Sequence, residues 1–264
     1  MKQSCYLLYI IMCLLLTGCS NISEDERLIY VKPAAVSRCV LIEDFTGQRC
    51  VNCPNATEEI VRLQEQYGEE NVIAVAIHSG PLGFYTNNRF LGLKTETGEE
   101  YWNHWQLEYQ PVGLIDRQGV VDYTSWGAKV HEELERTAPV SISIDVQVSD
   151  GKLSVNTQVM GTDGNTDGHL QLWLVEDDVN AFQLMPDGTR NDDYVHQHVF
   201  RTALNGTWGE SLTVKEGETQ TINHDGMELN EAWNVANLSV VAFVYNDQGV
   251  QQVTKKKVIN NEQE

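Results

Sequence analysis

The chain has 264 residues, with 38 acidic against 18 basic, and a formal net charge of −20. Phosphate binding needs clustered positive charge, and no Lys/Arg stripe stands out apart from Lys255-Lys256-Lys257, so nucleic acid is excluded as an expected partner. The acidic balance favours solubility and repulsion from anionic lipid surfaces, and the length suffices for two domains.

Lys2 precedes an apolar run, 6–16, too short for the roughly 20 residues a bilayer span requires. With its charged start and small-residue exit it reads as a secretory signal, residues 1–18. Leu16-Thr17-Gly18-Cys19 resembles the lipobox of bacterial lipoproteins. That resemblance implies cleavage before Cys19, acyl chains on its sulfur and amine, and a membrane partner reached through lipid alone. Ser20 stands where an Asp would suggest inner-membrane retention, which points to the outer membrane. Ser23-Glu24-Asp25-Glu26 is similar to surface-export signals of some Bacteroidota lipoproteins; a plain solvated tether, residues 19–38, is the alternative.

Cys39 to Thr46 reads as a buried strand, and Val72 to Ile77 as another. Between them lie Cys50-Val51-Asn52-Cys53 and a helix with Ala56, Ile60, Leu63 and Tyr67 on one face, stopping at Gly68. A Cys-x-x-Cys pair at a helix start lies near free backbone N–H groups and the positive end of the dipole, which favours thiolate. Strand, Cys pair, helix, strand is the opening of a thioredoxin-like fold. A zinc site would need about four ligands, and there is no second Cys-x-x-Cys, so no metal and no cofactor is expected.

Residues 79–96, punctuated by Gly and Asn, read as an irregular insertion. Glu99 to Glu108 reads as a helix with Tyr101 and Trp105 on one face. Pro111 then opens a short strand, 112–115, followed by the turn 116–119 and Val120-Val121. In the thioredoxin family a cis proline at the matching place faces the Cys pair and shapes the client groove; a trans proline at a strand edge is the alternative. Trp126, Val130 and Leu134 line a closing helix with Ser125 as its cap.

Beyond Pro139 the pattern turns to period two. Val140, Ile142, Ile144, Val146 and Val148 alternate with polar residues, Asp150-Gly151 makes a hairpin turn, and Leu153, Val155 and Val159 continue. Further strands read over 170–175, 198–204, 212–215, 238–245 and 250–258. The expected fold class is therefore a thioredoxin-like α/β domain, 39–138, followed by an all-β immunoglobulin-like sandwich, 139–264. The lysine triplet has the character of an edge-strand blocker.

The lipobox, the run Glu43 to Gly47 leading into Cys50-Val51-Asn52-Cys53-Pro54, and the strand Val241 to Asn246 together resemble the Omp28 family of Bacteroidota outer-membrane lipoproteins. The resemblance spans nearly the whole mature chain and is most specific around the cysteines. It implies a thioredoxin-like domain plus a β-sandwich at the outer membrane.

In the thioredoxin mechanism Cys50 is the nucleophile and Cys53 the resolver, and a Cys50–Cys53 disulfide persists in an oxidising envelope. Asp44 matches the buried aspartate that accepts the resolver's proton; a solvent-facing Asp44 is the alternative. Arg49 replaces the family's tryptophan and Val51-Asn52 its Gly-Pro, so the redox potential does not carry over. Cys39, at the far end of its strand, reads as an inert thiol. His196 and His198 read as an exposed polar strand face, short of the three ligands a metal needs. Residues 163–168 fit half a calcium loop, but Leu174 stands at the twelfth position, so a polar turn is expected. Two functions remain open: thiol–disulfide exchange on envelope protein clients, or a non-catalytic surface binding or adhesion lipoprotein whose Cys50–Cys53 bond is structural.

Overall fold

The computed structural model describes residues 31–260, so the expected signal, the acidic stretch and Cys19 lie outside the described residues. The chain divides into two units, Met1–Lys32 and Pro33–Glu264, and every element below belongs to the second. Its first half runs β1 (Val36–Ser37), β2 (Val40–Thr46), helix α1 (Cys53–Tyr67), β3 (Val72–His78), helix α2 (Glu96–His104), β4 (Val112–Ile115), β5 (Val120–Val121), helix α3 (Trp126–Leu134) and β6 (Thr137–Ala138). The second half is strands apart from one 3-10 turn, Val235–Asn237: β7 (Val140–Ser149), β8 (Lys152–Gly161), β9 (Thr166–Glu176), β10 (Val179–Leu184), β11 (Arg190–His196), β12 (Val199–Ala203), β13 (Glu210–Val214), β14 (Thr219–Glu228), β15 (Leu238–Asn246), β16 (Gly249–Lys257) and β17 (Ile259–Asn260). The protein is β-rich with few helices.

β2 and β3 pair in parallel, and β4 runs antiparallel on the other side of β2. Both strands are covered on both faces, which is why they are largely apolar, with Glu43 and Asp44 the buried charged exceptions in β2. Val40, Ile42, Val72 and Ala74 pack under α1 and α3, against Ala56, Ile60, Leu63, Trp126 and Val130. Leu41, Phe45, Ile73, Val75 and Ile77 face the other way, onto Tyr101, Trp173, Phe200 and Phe243. Gly113 of β4 has no alternative, since a Cβ there would lie 2.6 Å from the Trp126 ring.

The two halves share one sheet. β12 pairs with β3 in parallel and with β9 antiparallel, giving the order β16-β15-β9-β12-β3-β2-β4-β5, with β13 also on β9. A nine-stranded sheet thus runs through the boundary that the change of periodicity near Pro139 suggests. A second sheet, β14-β8-β7-β17, packs its apolar side against β9 and β15 through Val146, Val155, Leu172, Leu174 and Val240. The turn joining β7 and β8 holds Asp150 and Gly151 at φ 52 and 69, as a tight antiparallel hairpin requires. β16 is an edge strand with Lys257 exposed on it.

Several boundaries differ from the sequence reading. The helix expected over 99–108 begins at Glu96, because the Thr95 side chain accepts the Gly98 N–H at 3.0 Å. Ser125 makes no side-chain cap; instead Asp122 caps a short 3-10 turn, Tyr123–Ser125, that leads into α3. The strand expected from His198 starts at Val199, since His198 sits at φ 56. The hairpin β10–β11 was not expected from periodicity, and it lies over the Cys pair.

Candidate functional site around the Cys50–Cys53 disulfide

Thr46 ends β2, and Gly47 to Asn52 form the loop that enters α1. The loop packs backbone to backbone on the insertion: the Arg49 N–H donates to Leu82 O at 3.0 Å, and a Cβ on Gly47 would lie 2.5 Å from the Leu82 carbonyl carbon. Only glycine permits that approach. Cys50 and Cys53 are joined as a disulfide with their Cα atoms 5.4 Å apart, and each is only 2% exposed. Cys53 is the first residue of α1 and Pro54 follows, where a missing N–H costs nothing.

Pro111 precedes β4, whose Val112 pairs with Phe45, so the proline stands at the same sheet end as Thr46 and the Cys loop. The Gln110–Pro111 bond is cis. The Gln110 side chain fixes this corner, donating to the carbonyls of Thr46 and Ser79 and accepting the Leu82 N–H at 3.1 Å.

Asp44 lies on the α1 face of β2, 1% exposed. Burial alone pushes its carboxyl up to about 8. It lines a cavity of about 20 Å³ together with Cys53, Thr57, His78, Tyr194 and His196. That volume is close to the room one water needs. The register explains the grouping: Asp44 pairs with Ala76 and Thr46 with His78, so all four alternate onto one face.

The hairpin β10–β11 closes the site from above. The Gln183 amide donates to Cys50 O at 2.8 Å and to Leu184 O at 3.0 Å, and the Leu184 N–H donates to Gln48 O at 2.9 Å. Gln48 answers by donating to Phe182 O at 3.2 Å. Phe182 is edge to face with Phe84 and Phe90 of the insertion.

The structure thus brings Asp44 and Cys53, disulfide-bonded to Cys50, to one cavity, and puts Pro111 at the same end of the sheet. His196 corrects the sequence reading. It is not on an exposed face: it is 6% exposed, edge to face with His78 at 5.1 Å, and burial lowers it to about 4. His198 goes elsewhere, its Nδ1 2.8 Å from Asp177, which also holds Lys255 at 3.0 Å. The two rings part because the positive φ of His198 breaks the strand alternation. His78, Gln183 and Tyr194 were missed; only a buried-strand histidine at position 78 offered a signal. Cys39 is a half-buried free thiol, raised by burial. Among the described residues no cluster of three or more His, Cys, Asp or Glu could hold a metal, and no helix is long and apolar enough to cross a membrane.

The family model for outer membrane protein Omp28 matches residues 98–262. The chain belongs to the Omp28 family. The match begins after the cysteines, so membership places this Omp28 chain with outer-membrane proteins and leaves the pair to be judged on its own geometry. HBP35 of Porphyromonas gingivalis is similar in structure, with a TM-score of 0.68 at 16% identity over 88% of this chain and 80% of that one. At that identity the likeness is one of fold. A domain of the outer membrane lipoprotein Omp28 from Porphyromonas gingivalis shares 25% identity over 47% of this chain and 98% of its own, with a TM-score of 0.33. No curated protein matches the chain.

Proposed function

We propose that this Omp28 member is a lipid-anchored outer-membrane protein that carries out thiol–disulfide exchange on envelope proteins. Its first half acts as a thioredoxin-like domain and its second as an immunoglobulin-like sandwich. The observation that carries the reading is the cavity shared by Cys53 and Asp44: a carboxyl raised to about 8 stands beside the sulfur that must lose a proton. In the dithiol form the Cys50 thiolate attacks a client disulfide and expels one client sulfur as thiolate. As pH approaches about 8 and Asp44 ionises, Cys53 gives its proton to that carboxylate and attacks Cys50 Sγ. The Cys50–client bond breaks, its electron pair leaves with the client, and the Cys50–Cys53 bond forms. The client is reduced and the pair oxidised; the reverse sequence oxidises a client dithiol.

A second reading is favoured by one specific observation. Both cysteines are 2% exposed under the β10–β11 hairpin, as a structural disulfide in a binding lipoprotein would be. Cys53→Ser separates the two. In an exchanger it leaves Cys50 joined to clients as heavy, reductant-sensitive bands in envelope extracts, absent from Cys50→Ser. A pair with no such adducts and a potential below about −300 mV is structural.

A further inference from the structure

A second cleft opens at the C-terminal end of α1, about 18 Å along the helix from Cys53. β3 pairs with β12 at Ala76 and Val199 alone, so on that side β3 has no strand partner ahead of Ala76. Two adjoining cavities of about 410 and 520 Å³ lie there, sharing Gln64, Glu69, Asp177, His198, Lys255 and Lys257. Each is within the size range of small-molecule sites. Asp177 organises the strand side. Its carboxylate accepts the His198 backbone N–H at 2.7 Å, lies 2.8 Å from His198 Nδ1 and accepts from Lys255 Nζ at 3.0 Å. Asp178 and His198, which both line the smaller cavity, hold φ at 58 and 56, a conformation that clusters at ligand clamps.

Most of the cleft's charges are already engaged. Burial works against the Asp177 charge, yet His198 and Lys255 hold its carboxyl well below the usual range, so Lys255 is matched. Asp178 accepts from the side-chain amide of Gln197 at 2.9 Å. Two groups of opposite sign are left. Glu65 and Glu69 stand exposed at the end of α1, whose last turn holds no basic residue. The helix dipole is negative there, so two carboxylates at that end are unfavourable and a cation beside them is stabilising. Lys257 is exposed on β16, and among the described residues no ion pair joins it to either glutamate. No cluster of three or more His, Cys, Asp or Glu among the described residues could hold a metal, so the cation that fits is organic.

We propose that this cleft binds a short peptide of two or three residues with free termini, its ammonium at Glu65 and Glu69 and its carboxylate at Lys257. A free amino acid carries both charges on one carbon. Each further residue separates the termini by roughly 3.3–3.6 Å, which lets one ligand meet the helix side and the strand side together. Such a zwitterion has no net charge, so the −20 of the chain does not repel it at a distance as it would an anion. Val61 on α1, 46% exposed, and Ile73 on β3 line the cavities and give apolar contact to the peptide's side chains. The site stands apart from the disulfide and holds whichever role the disulfide has.

The test is isothermal calorimetry on the full-length protein in detergent, with the dipeptide leucyl-leucine as the probe. Saturable binding is expected. Acetylating the amine or amidating the carboxylate of the dipeptide should each weaken it about tenfold or more, and free leucine should bind as weakly as the capped forms. Lys257→Gln should weaken leucyl-leucine and make the remaining binding insensitive to amidation. Glu65→Gln with Glu69→Gln should do the same for acetylation. All three side chains are exposed, so these variants keep the wild-type fold, and the capped dipeptides test the wild-type protein without any substitution. Cys50→Ser should bind as wild type does, because the cleft lies at the far end of α1. No saturable binding at millimolar dipeptide overturns the site. Equal binding of free and capped dipeptides, or of free leucine, overturns recognition of two separated termini. Variants that keep the sensitivity they should lose, or loss of binding in Cys50→Ser, place the probe elsewhere and overturn the proposal.

Discussion

The side-chain amide of Gln183, from the β-rich second half, donates to the backbone carbonyl of Cys50 at 2.8 Å. This bond ties the covering hairpin to the loop that carries the disulfide. The same amide also reaches Leu184 O and, at 3.4 Å, Gly47 O. Gln183→Leu keeps the volume and removes the donor, leaving buried carbonyls unpaired. It is expected to cost about 1–3 kcal/mol in urea unfolding. The loosened hairpin should also let a small phosphine reduce the disulfide faster than in wild type. Equal reduction rates would show that the hairpin does not limit access to the sulfurs.

Stability should fall between about pH 6.5 and 8. Asp44 is raised to about 8 by burial, against about 3.9 when unfolded, so the native state holds the extra proton across that interval. The stabilisation is full below the unfolded value and is lost as pH rises through the folded one. Asp116, raised to about 7 by burial, acts with the same sign. His196, lowered to about 4 by burial, acts oppositely, but only below its unfolded value near 6.5. Above that pH the carboxyls act unopposed, and Asp44 alone should account for a loss of about 2 kcal/mol by pH 8. Asp44→Asn should flatten this part of a urea-midpoint profile; a slope unchanged in the variant would place the titration elsewhere.

Arg117 and Glu43 form an ion pair at 2.7 Å with side chains 2% and 0% exposed. The guanidinium also lies over the rings of Tyr245, Phe243 and Trp173, at 4.3, 4.8 and 5.4 Å, so it stitches β2 to the strands of the second half. Arg117→Met leaves a buried carboxylate without its partner and is expected to destabilise by about 3–5 kcal/mol. Adding Glu43→Gln should recover much of that, because the uncompensated charge is gone. Denaturant melts of the two variants and the double variant measure the coupling.

Cys19→Ala should move the protein from the membrane pellet to the soluble envelope fraction and abolish palmitate labelling. The proposed lipobox puts all acyl chains on that residue, and acyl chains are the anchor the reading requires. A variant that still pelleted and still labelled would dismiss the lipid anchor.

Local rules made the first half legible. The parallel strands β2 and β3 are buried on both faces, so they are mostly apolar, and only Glu43 and Asp44 interrupt β2. The Cys pair announced itself by sitting where a strand loop becomes a helix. The Asp150-Gly151 turn and the alternation of β7 and β8 followed from period-two burial and positive φ. Asp116 and Arg117 had the look of an ordinary turn, yet they are 0% and 7% exposed, paired with Arg38 and Glu43. Nothing in their local spacing signals partners 78 and 74 residues away.

The sequence by itself determined the charge, the strand and helix segments around the cysteines, and the position of the pair at a helix start. Tertiary structure decided what surrounds that pair. β10 and β11 lack clean alternation because one face meets the Cys loop and the insertion, so polar Gln183 and His196 are buried beside Val179, Ala181 and Phe182 while Val195 is 47% exposed. Their burial depends on β12 docking beside β3, a pairing between residues more than a hundred positions apart. Hydrophobic periodicity reports which side of an element is dry. It cannot report that a distant hairpin will dry a polar cavity, because that depends on which surfaces meet after the strands have paired.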